Sequence, residues 1–163
     1  MCGIIGYVGS RSAAPVLLEG LRTLEYRGYD SAGMYVPDTG VVKAVGPIAE
    51  LEPIVPKNSY ATSGIAHSRW ATHGAPTLEN AHPHTDSDET IWIVHNGIIE
   101  NYQELKASLE AKGVRFYGDT DTEVLAKLIK QCYEGDIVAA VQAALTHVRG
   151  AYGIAVMSSE EPD

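Results

Sequence analysis

A cysteine stands at position 2 of this 163-residue chain, directly behind Met1. Methionine before a small side chain is normally removed, so the mature chain is expected to begin at Cys2. One residue then carries both a thiol and a free α-amine. The amine, with a reference pKa of about 7.7–8.0, is a base near neutral pH. A thiol of reference pKa about 8.5 is already partly thiolate and easily activated further. Nucleophile and base are thereby supplied without a histidine. On position alone the plainer reading is a small apolar strand residue, since buried free cysteine is common.

Asn96-Gly97 follows the apolar run Ile91-Trp92-Ile93-Val94. This dipeptide favours a type I′ turn. The residues after it, Ile98-Ile99-Glu100-Asn101-Tyr102, do not alternate as a return strand would. The chemical alternative is that the Asn96 amide and the Gly97 N–H converge on one oxygen, the pair of donors that acyl transfer needs where negative charge develops. Arg69, within His67-Ser68-Arg69-Trp70-Ala71-Thr72-His73-Gly74, has the planar fork that suits a carboxylate. Asp121 lies at a predicted helix start, where the helix dipole favours an acid in any case. Together, Arg69 and Asp121 would make a receptor for an α-amino acid, one for the carboxylate and the other for the ammonium. Nothing in the spacing brings them together. Six histidines, with His82-Pro83-His84 not far from His73, raise a metal site as the rival. A structural zinc wants about four ligands at recognisable spacing, and no cysteine pair assists here, so no metal and no cofactor is expected. His147, inside a predicted helix, reads as an ordinary residue.

The elements that must carry these residues follow from periodicity. Ile4–Val8 reads as a buried strand. Ser12 is placed to cap a helix with Pro15 in its first turn and Val16, Leu17, Leu21 and Leu24 on one face. Residues 26–30 form a loop. Ser31–Val36 and Val41–Val45 are strands joined through Asp38-Thr39-Gly40. Residues 48–58 suggest a short helix ended by Pro53 and Pro56. Gly64–Ser68 and Ile91–Val94 are strands, the second a central one. Glu104–Lys112 is helical and stops at Gly113. Thr120 and Glu123 have capping-box spacing for a helix to about Tyr133. Asp136 caps a helix over 137–148, and Ala151–Met157 is a last strand. Strands and helices intermix with hairpins rather than strict βαβ units, which favours a layered α+β fold in one domain. Gly3, Gly6 and Gly9 lack the Rossmann spacing, and no Gly-Lys-Ser/Thr follows, so they do not make a phosphate loop.

Composition bounds the function. Twelve Lys and Arg against twenty-one Asp and Glu give a net charge of −9, without the basic footprint of a nucleic-acid binder. Hydrophobic residues make up 45%, enough for a packed core, yet no apolar stretch approaches a membrane span. Two cysteines, Cys2 and Cys132, exclude a disulfide framework. No secretory signal is visible. A cytoplasmic protein free of membrane and nucleic acid is expected. The ending Glu160-Glu161-Pro162-Asp163, in a turn-like sequence just after a strand, suggests a piece of a longer protein.

Six blocks occur in order: Met1-Cys2-Gly3-Ile4-Ile5-Gly6-Tyr7; Leu24-Glu25-Tyr26-Arg27-Gly28-Tyr29-Asp30-Ser31-Ala32-Gly33; Gly64-Ile65-Ala66-His67-Ser68-Arg69-Trp70-Ala71-Thr72-His73-Gly74; Asn80-Ala81-His82-Pro83-His84; Val94-His95-Asn96-Gly97-Ile98-Ile99-Glu100-Asn101; and Thr120-Asp121-Thr122-Glu123. In these blocks the chain resembles the glutaminase domain of the glutamine–fructose-6-phosphate aminotransferases, or glucosamine-6-phosphate synthases. Related amidotransferases share the N-terminal cysteine but differ in the other blocks. The resemblance implies an N-terminal-nucleophile hydrolase αββα sandwich and glutamine hydrolysis. It implies Cys2 as nucleophile with its own amine as base, and Asn96 and Gly97 as the oxyanion hole. Arg69, helped by Thr72 and His73, would hold the glutamine carboxylate and Asp121 its amine. Trp70 would close over the substrate, with Arg27 and His82 nearby. Residues 1–163 would then be a class II glutaminase domain lacking its C-terminal part. Two sugar-isomerase domains are expected in the full-length protein, itself a homo-oligomer. The competing expectations are a non-catalytic glutamine-binding fragment or regulatory module, and a metal-binding domain using His73, His82 and His84.

Overall fold

Ala13, Ala14, Leu17 and Leu21 form one fully buried stripe, the i, i+4 spacing of an amphipathic helix. They belong to α1 (Ala13–Leu24) in a computed structural model that describes residues 2–70 and 74–161. The other elements are β1 (Gly3–Val8), β2 (Ser31–Val36), β3 (Gly40–Val45), α2 (Ile48–Leu51), β4 (Ser63–Arg69), β5 (His84–Thr85), β6 (Ile91–Ile99), α3 (Tyr102–Ala111), α4 (Asp121–Gln131), α5 (Ile137–Leu145) and β7 (Gly150–Ser158). The expected helix 137–148 thus ends three residues early.

Two antiparallel sheets hold the strands, one in the order β1-β4-β2-β3 and the other β5-β6-β7. Their continuous apolar runs follow from burial on both faces. On β6, Ile91 and Ile93 pack with Leu125, Ala126 and Ile129 of α4 and Ala140 and Ala144 of α5. The alternate residues Trp92 and Val94 face Tyr35 of β2 and Ile65 of β4 in the other sheet. Tyr35 and Trp92 stack with ring centroids 4.5 Å apart. Beyond the first sheet, Met34 and Ala66 meet Leu17 and Leu21 of α1 and Ile48 and Leu51 of α2. The layers therefore run helix, sheet, sheet, helix, an α+β sandwich with three apolar seams.

Several local expectations are corrected. β1 is an edge strand rather than a buried one, with Val8 84% exposed. The Ser12 hydroxyl does not cap α1; it donates to the Ser59 carbonyl at 2.9 Å, while the Ala61 carbonyl takes the Ala13 N–H. Asn96-Gly97 makes no turn, because β6 continues through it to Ile99, opposite Gly150 of β7. Pairing with β7, Asn96 opposite Gly153 and Gly97 opposite Tyr152, supplies the backbone partners that a hairpin would otherwise provide. The short β5, pairing His84 and Thr85 with Ile93 and Trp92, carries no sequence signal at two residues. The other two predicted caps are present: Thr120 Oγ1 accepts the Glu123 N–H at 3.2 Å, and Asp136 accepts the Ala139 N–H at 2.9 Å. No helix among the described residues is long and apolar enough to cross a membrane.

Candidate active site

Cys2 immediately precedes β1, whose residue Gly3 pairs with Ser68 of β4. That register sets the thiol beside the last turn of chain leaving β4. The Trp70 N–H donates to Cys2 Sγ at 3.2 Å, and Sγ lies 3.5 Å from the Trp70 carbonyl oxygen. Cys2 is half-buried and unpaired. On its other side the Asn96 amide nitrogen donates to the Cys2 carbonyl at 3.2 Å. A narrow cleft opens here, lined by Cys2, Arg69, Trp70, His82, His95, Gly97, Thr120, Asp121 and Thr122. Residues from both sheets and from the start of α4 thus meet at one spot.

Gly97 has φ +124°, a region L side chains rarely adopt. A Cβ there would lie 2.2 Å from the Ala151 carbonyl oxygen. Glycine is the residue this bend of β6 accepts. The Trp70 ring is half-exposed and sits on Gly28, where an added Cβ would come within 2.5 Å of it.

Arg69 is buried, its guanidinium donating to the Ala75 carbonyl at 3.2 Å and the Gly74 carbonyl at 3.0 Å, with Asp30 at 3.7 Å. The Ala75 carbonyl also accepts from the Asn80 side chain, whose oxygen takes the Asp119 N–H at 2.9 Å. One polar chain therefore ties Arg69 to the loop before Asp121. Asp121 is buried too; it accepts the Ile99 N–H at 2.9 Å at the end of β6. The two predicted ends of an amino-acid clamp, 52 residues apart in sequence, line the same cleft.

Four buried histidines cluster here, His82 and His95 in the cleft wall and His67 and His84 behind them. His67 and His82 stack with centroids 4.1 Å apart, and His84 meets His82 edge-on at 4.7 Å. The Thr122 hydroxyl lies 2.8 Å from His82 Nε2 and 2.9 Å from His95 Nδ1, and the Thr120 hydroxyl 3.0 Å from His84 Nε2. Burial lowers the pKa of all four; His67 is pushed down to about 4, and His82 and His84 fall well below the usual range. For His95 desolvation outweighs the opposing pull of Asp121, 3.8 Å away. All four are neutral near pH 7. His82 and His84 are engaged by threonine hydroxyls, and among the described residues no three His, Cys, Asp or Glu side chains converge to hold a metal ion.

The structure thus gathers Cys2, Asn96, Gly97, Arg69, Trp70, Asp121 and His82. Arg27, in the 3-10 turn Glu25–Arg27, is not among the cleft residues. Thr72 and His73 lie outside the described residues. His67, His95, Thr120 and Thr122 were not expected to serve the site. Their one sequence signal is a polar side chain inside otherwise apolar strands or at a helix cap.

Known proteins share this architecture. The chain is 53% identical to the glutamine–fructose-6-phosphate aminotransferase [isomerizing] of Symbiobacterium thermophilum and 54% identical to that of Thermus thermophilus. Each alignment covers 100% of this chain but 27% and 28% of those proteins, so the chain spans little more than a quarter of their length. Among solved structures, the glutamine phosphoribosylpyrophosphate amidotransferase from B. subtilis, complexed with ADP and GMP, superposes with a TM-score of 0.83 at 28% identity. That match covers 98% of this chain and 35% of the other. An allosteric regulatory enzyme of purine biosynthesis gives 0.82 at 27% identity, over 98% of this chain and 36% of that one. The fold is the α+β sandwich of N-terminal-nucleophile amidotransferases. A family model of the glutamine amidotransferase domain matches residues 67–163, more than half the sequence and the part that carries Arg69, Asn96, Gly97 and Asp121, and the chain belongs to that family.

Proposed function

We propose that this chain hydrolyses glutamine to glutamate and ammonia through a γ-glutamyl thioester on Cys2. The observation that carries the reading is the convergence of a half-buried thiol, a positive-φ glycine, a buried arginine and a buried aspartate on one cleft, with the Asn96 amide bonded to the carbonyl of the thiol's own residue. Arg69 takes the α-carboxylate of glutamine and Asp121 its ammonium. With Met1 removed, the Cys2 amine accepts the thiol proton, directly or through a water. The thiolate attacks the side-chain amide carbon, and the oxyanion is met by Asn96 and Gly97. The C–N bond breaks as the ammonium returns its proton to the departing nitrogen, releasing ammonia. Water then attacks the thioester, the same donors hold the second oxyanion, and glutamate leaves with the thiol restored.

In a protein with the length of the curated relatives, ammonia would pass to fructose 6-phosphate and yield glucosamine 6-phosphate, the first step of hexosamine synthesis. The whole-chain identity to enzymes of that name supports this. The present residues would then be the glutaminase part, with Trp70 closing the ammonia path toward sugar-isomerase domains. A reducing compartment such as the cytoplasm suits the free thiol.

The test is intact-mass analysis after reaction with 6-diazo-5-oxo-norleucine, alongside ammonia release from glutamine. One adduct per chain, mapped to Cys2, is expected. Cys2→Ala should lose both the adduct and the ammonia, and protein retaining Met1 should release none. Labelling at Cys132 would overturn the assignment. Glutamine binding without ammonia release would make the chain a glutamine-binding module instead.

A further inference from the structure

His67 sits in the middle of β4, fully buried, with its ring stacked on His82. Its Nε2 lies 2.8 Å from Asn96 Oδ1 and 3.0 Å from the His95 carbonyl oxygen. A carbonyl oxygen only accepts, so Nε2 carries the proton. The atom of Asn96 that faces His67 must then be its oxygen. At the other end of the same amide, the Cys2 carbonyl oxygen is 3.2 Å away and also only accepts, so it requires the amide nitrogen. Two fixed acceptors, one on β6 and one on the chain entering β1, thus determine the orientation of the Asn96 amide independently and agree.

The orientation matters because an amide is sterically almost symmetric. Turned by half a rotation it fits the same space. The turned amide would set N–H against N–H at His67 and oxygen against oxygen at Cys2. Two frustrated contacts oppose it, each leaving a buried polar group facing its own kind. The turned amide also takes an N–H donor away from the Cys2 side and puts a lone pair in its place.

We infer that His67 is a positioning residue for catalysis: its Nε2–H, braced by the His95 carbonyl, aims the Asn96 amide so that an N–H faces the oxyanion. This rests on the reading of Asn96 as an oxyanion donor. His67 touches no substrate. Its burial, the stacking on His82 and the double acceptor fix the ring and its tautomer before glutamine arrives, so the donor costs no reorganisation at the moment of reaction.

The experiment has two arms. In the unmodified protein, long-range 1H–15N correlation of the histidine rings identifies which His67 nitrogen carries the proton. Nε2–H is expected, and an Nδ1–H tautomer overturns the inference. In the second arm, His67→Phe keeps a flat ring on His82 but removes the donor, whereas His67→Gln restores an N–H near the Nε2 position. Glutaminase kcat should fall about 10–100-fold in His67→Phe, with KM for glutamine within about twofold, and should recover substantially in His67→Gln. A His67→Phe protein with unchanged kcat, or equal losses in both variants, overturns it. Should the wild type release no ammonia, the glutaminase reading fails by itself. The Asn96 side-chain NH2 resonances then decide: a shift in His67→Phe upholds the positioning role, and unmoved resonances end it. Should a variant fail to fold, the tautomer in the unmodified protein decides.

Discussion

The Arg69 guanidinium is buried but remains part of the cleft wall, braced by the carbonyls of residues 74 and 75 and by Asp30. A planar fork held in place loses little freedom when it receives a carboxylate, which is why arginine rather than lysine suits the position. Arg69→Ala should raise KM for glutamine by about 10²-fold or more, given about 1.5–3 kcal/mol per hydrogen bond to a charged group. The loss in kcat should be smaller. Arg69→Lys should fall between, keeping the charge without the fork. Steady-state kinetics over a range of glutamine concentrations checks both, and an unchanged KM removes Arg69 from the clamp.

At the scale of elements, the start of α4 does several jobs at once. Thr120 accepts the Glu123 N–H as its N-cap and meets His84 through the same oxygen. Asp121 follows in the first turn, where the helix dipole favours its charge. Glu123 does not complete a capping box. Its carboxylate takes the Tyr117 and Gly118 N–H groups and pairs with Lys127 at 2.6 Å, holding the preceding loop against the helix. Capping-box spacing was legible in the sequence, but the side-chain partner was not, because the loop at 115–118 folds back within reach. Thr120→Ala should lower the unfolding free energy by about 1–2 kcal/mol, the usual cost of a lost cap. Thr120→Ser should retain most of it. Urea denaturation of the three proteins measures the difference.

For the whole molecule, the histidine layer is a joint between the two sheets: His67 comes from β4, His95 from β6, and Thr122 of α4 bridges His82 and His95. Each ring must stay neutral. The unfolded chain takes up protons below about pH 6.5, whereas folded His67 resists until about pH 4. Folded pKa values below the unfolded one mean that stability is present above pH 6.5 and is lost as pH falls. His67 alone should cost on the order of 3 kcal/mol between those limits. Unfolding free energies measured in urea from pH 7.5 to 4 should fall with pH, and His67→Gln should flatten the slope. A wild-type profile flat over this window would contradict the neutral stack. The loss precedes that from Asp86, whose hydrogen bonds from residues 88, 90 and 91 hold its pKa below the usual carboxylate value.

The sequence by itself determined the helical stripes, the buried apolar runs, the caps at Thr120 and Asp136, and the residue types of an amidotransferase site, because these depend on local periodicity and on blocks of adjacent residues. Tertiary structure decided the rest. Asn96-Gly97 has the local preference of a turn, and only its pairing with β7 keeps it extended. Arg69 and Asp121 carry no mutual signal; the Ala75–Asn80–Asp119 bridge and the β6–α4 contact bring them to one cleft. His67 likewise acquires a role only because the facing of two sheets lays it against an amide 29 residues away.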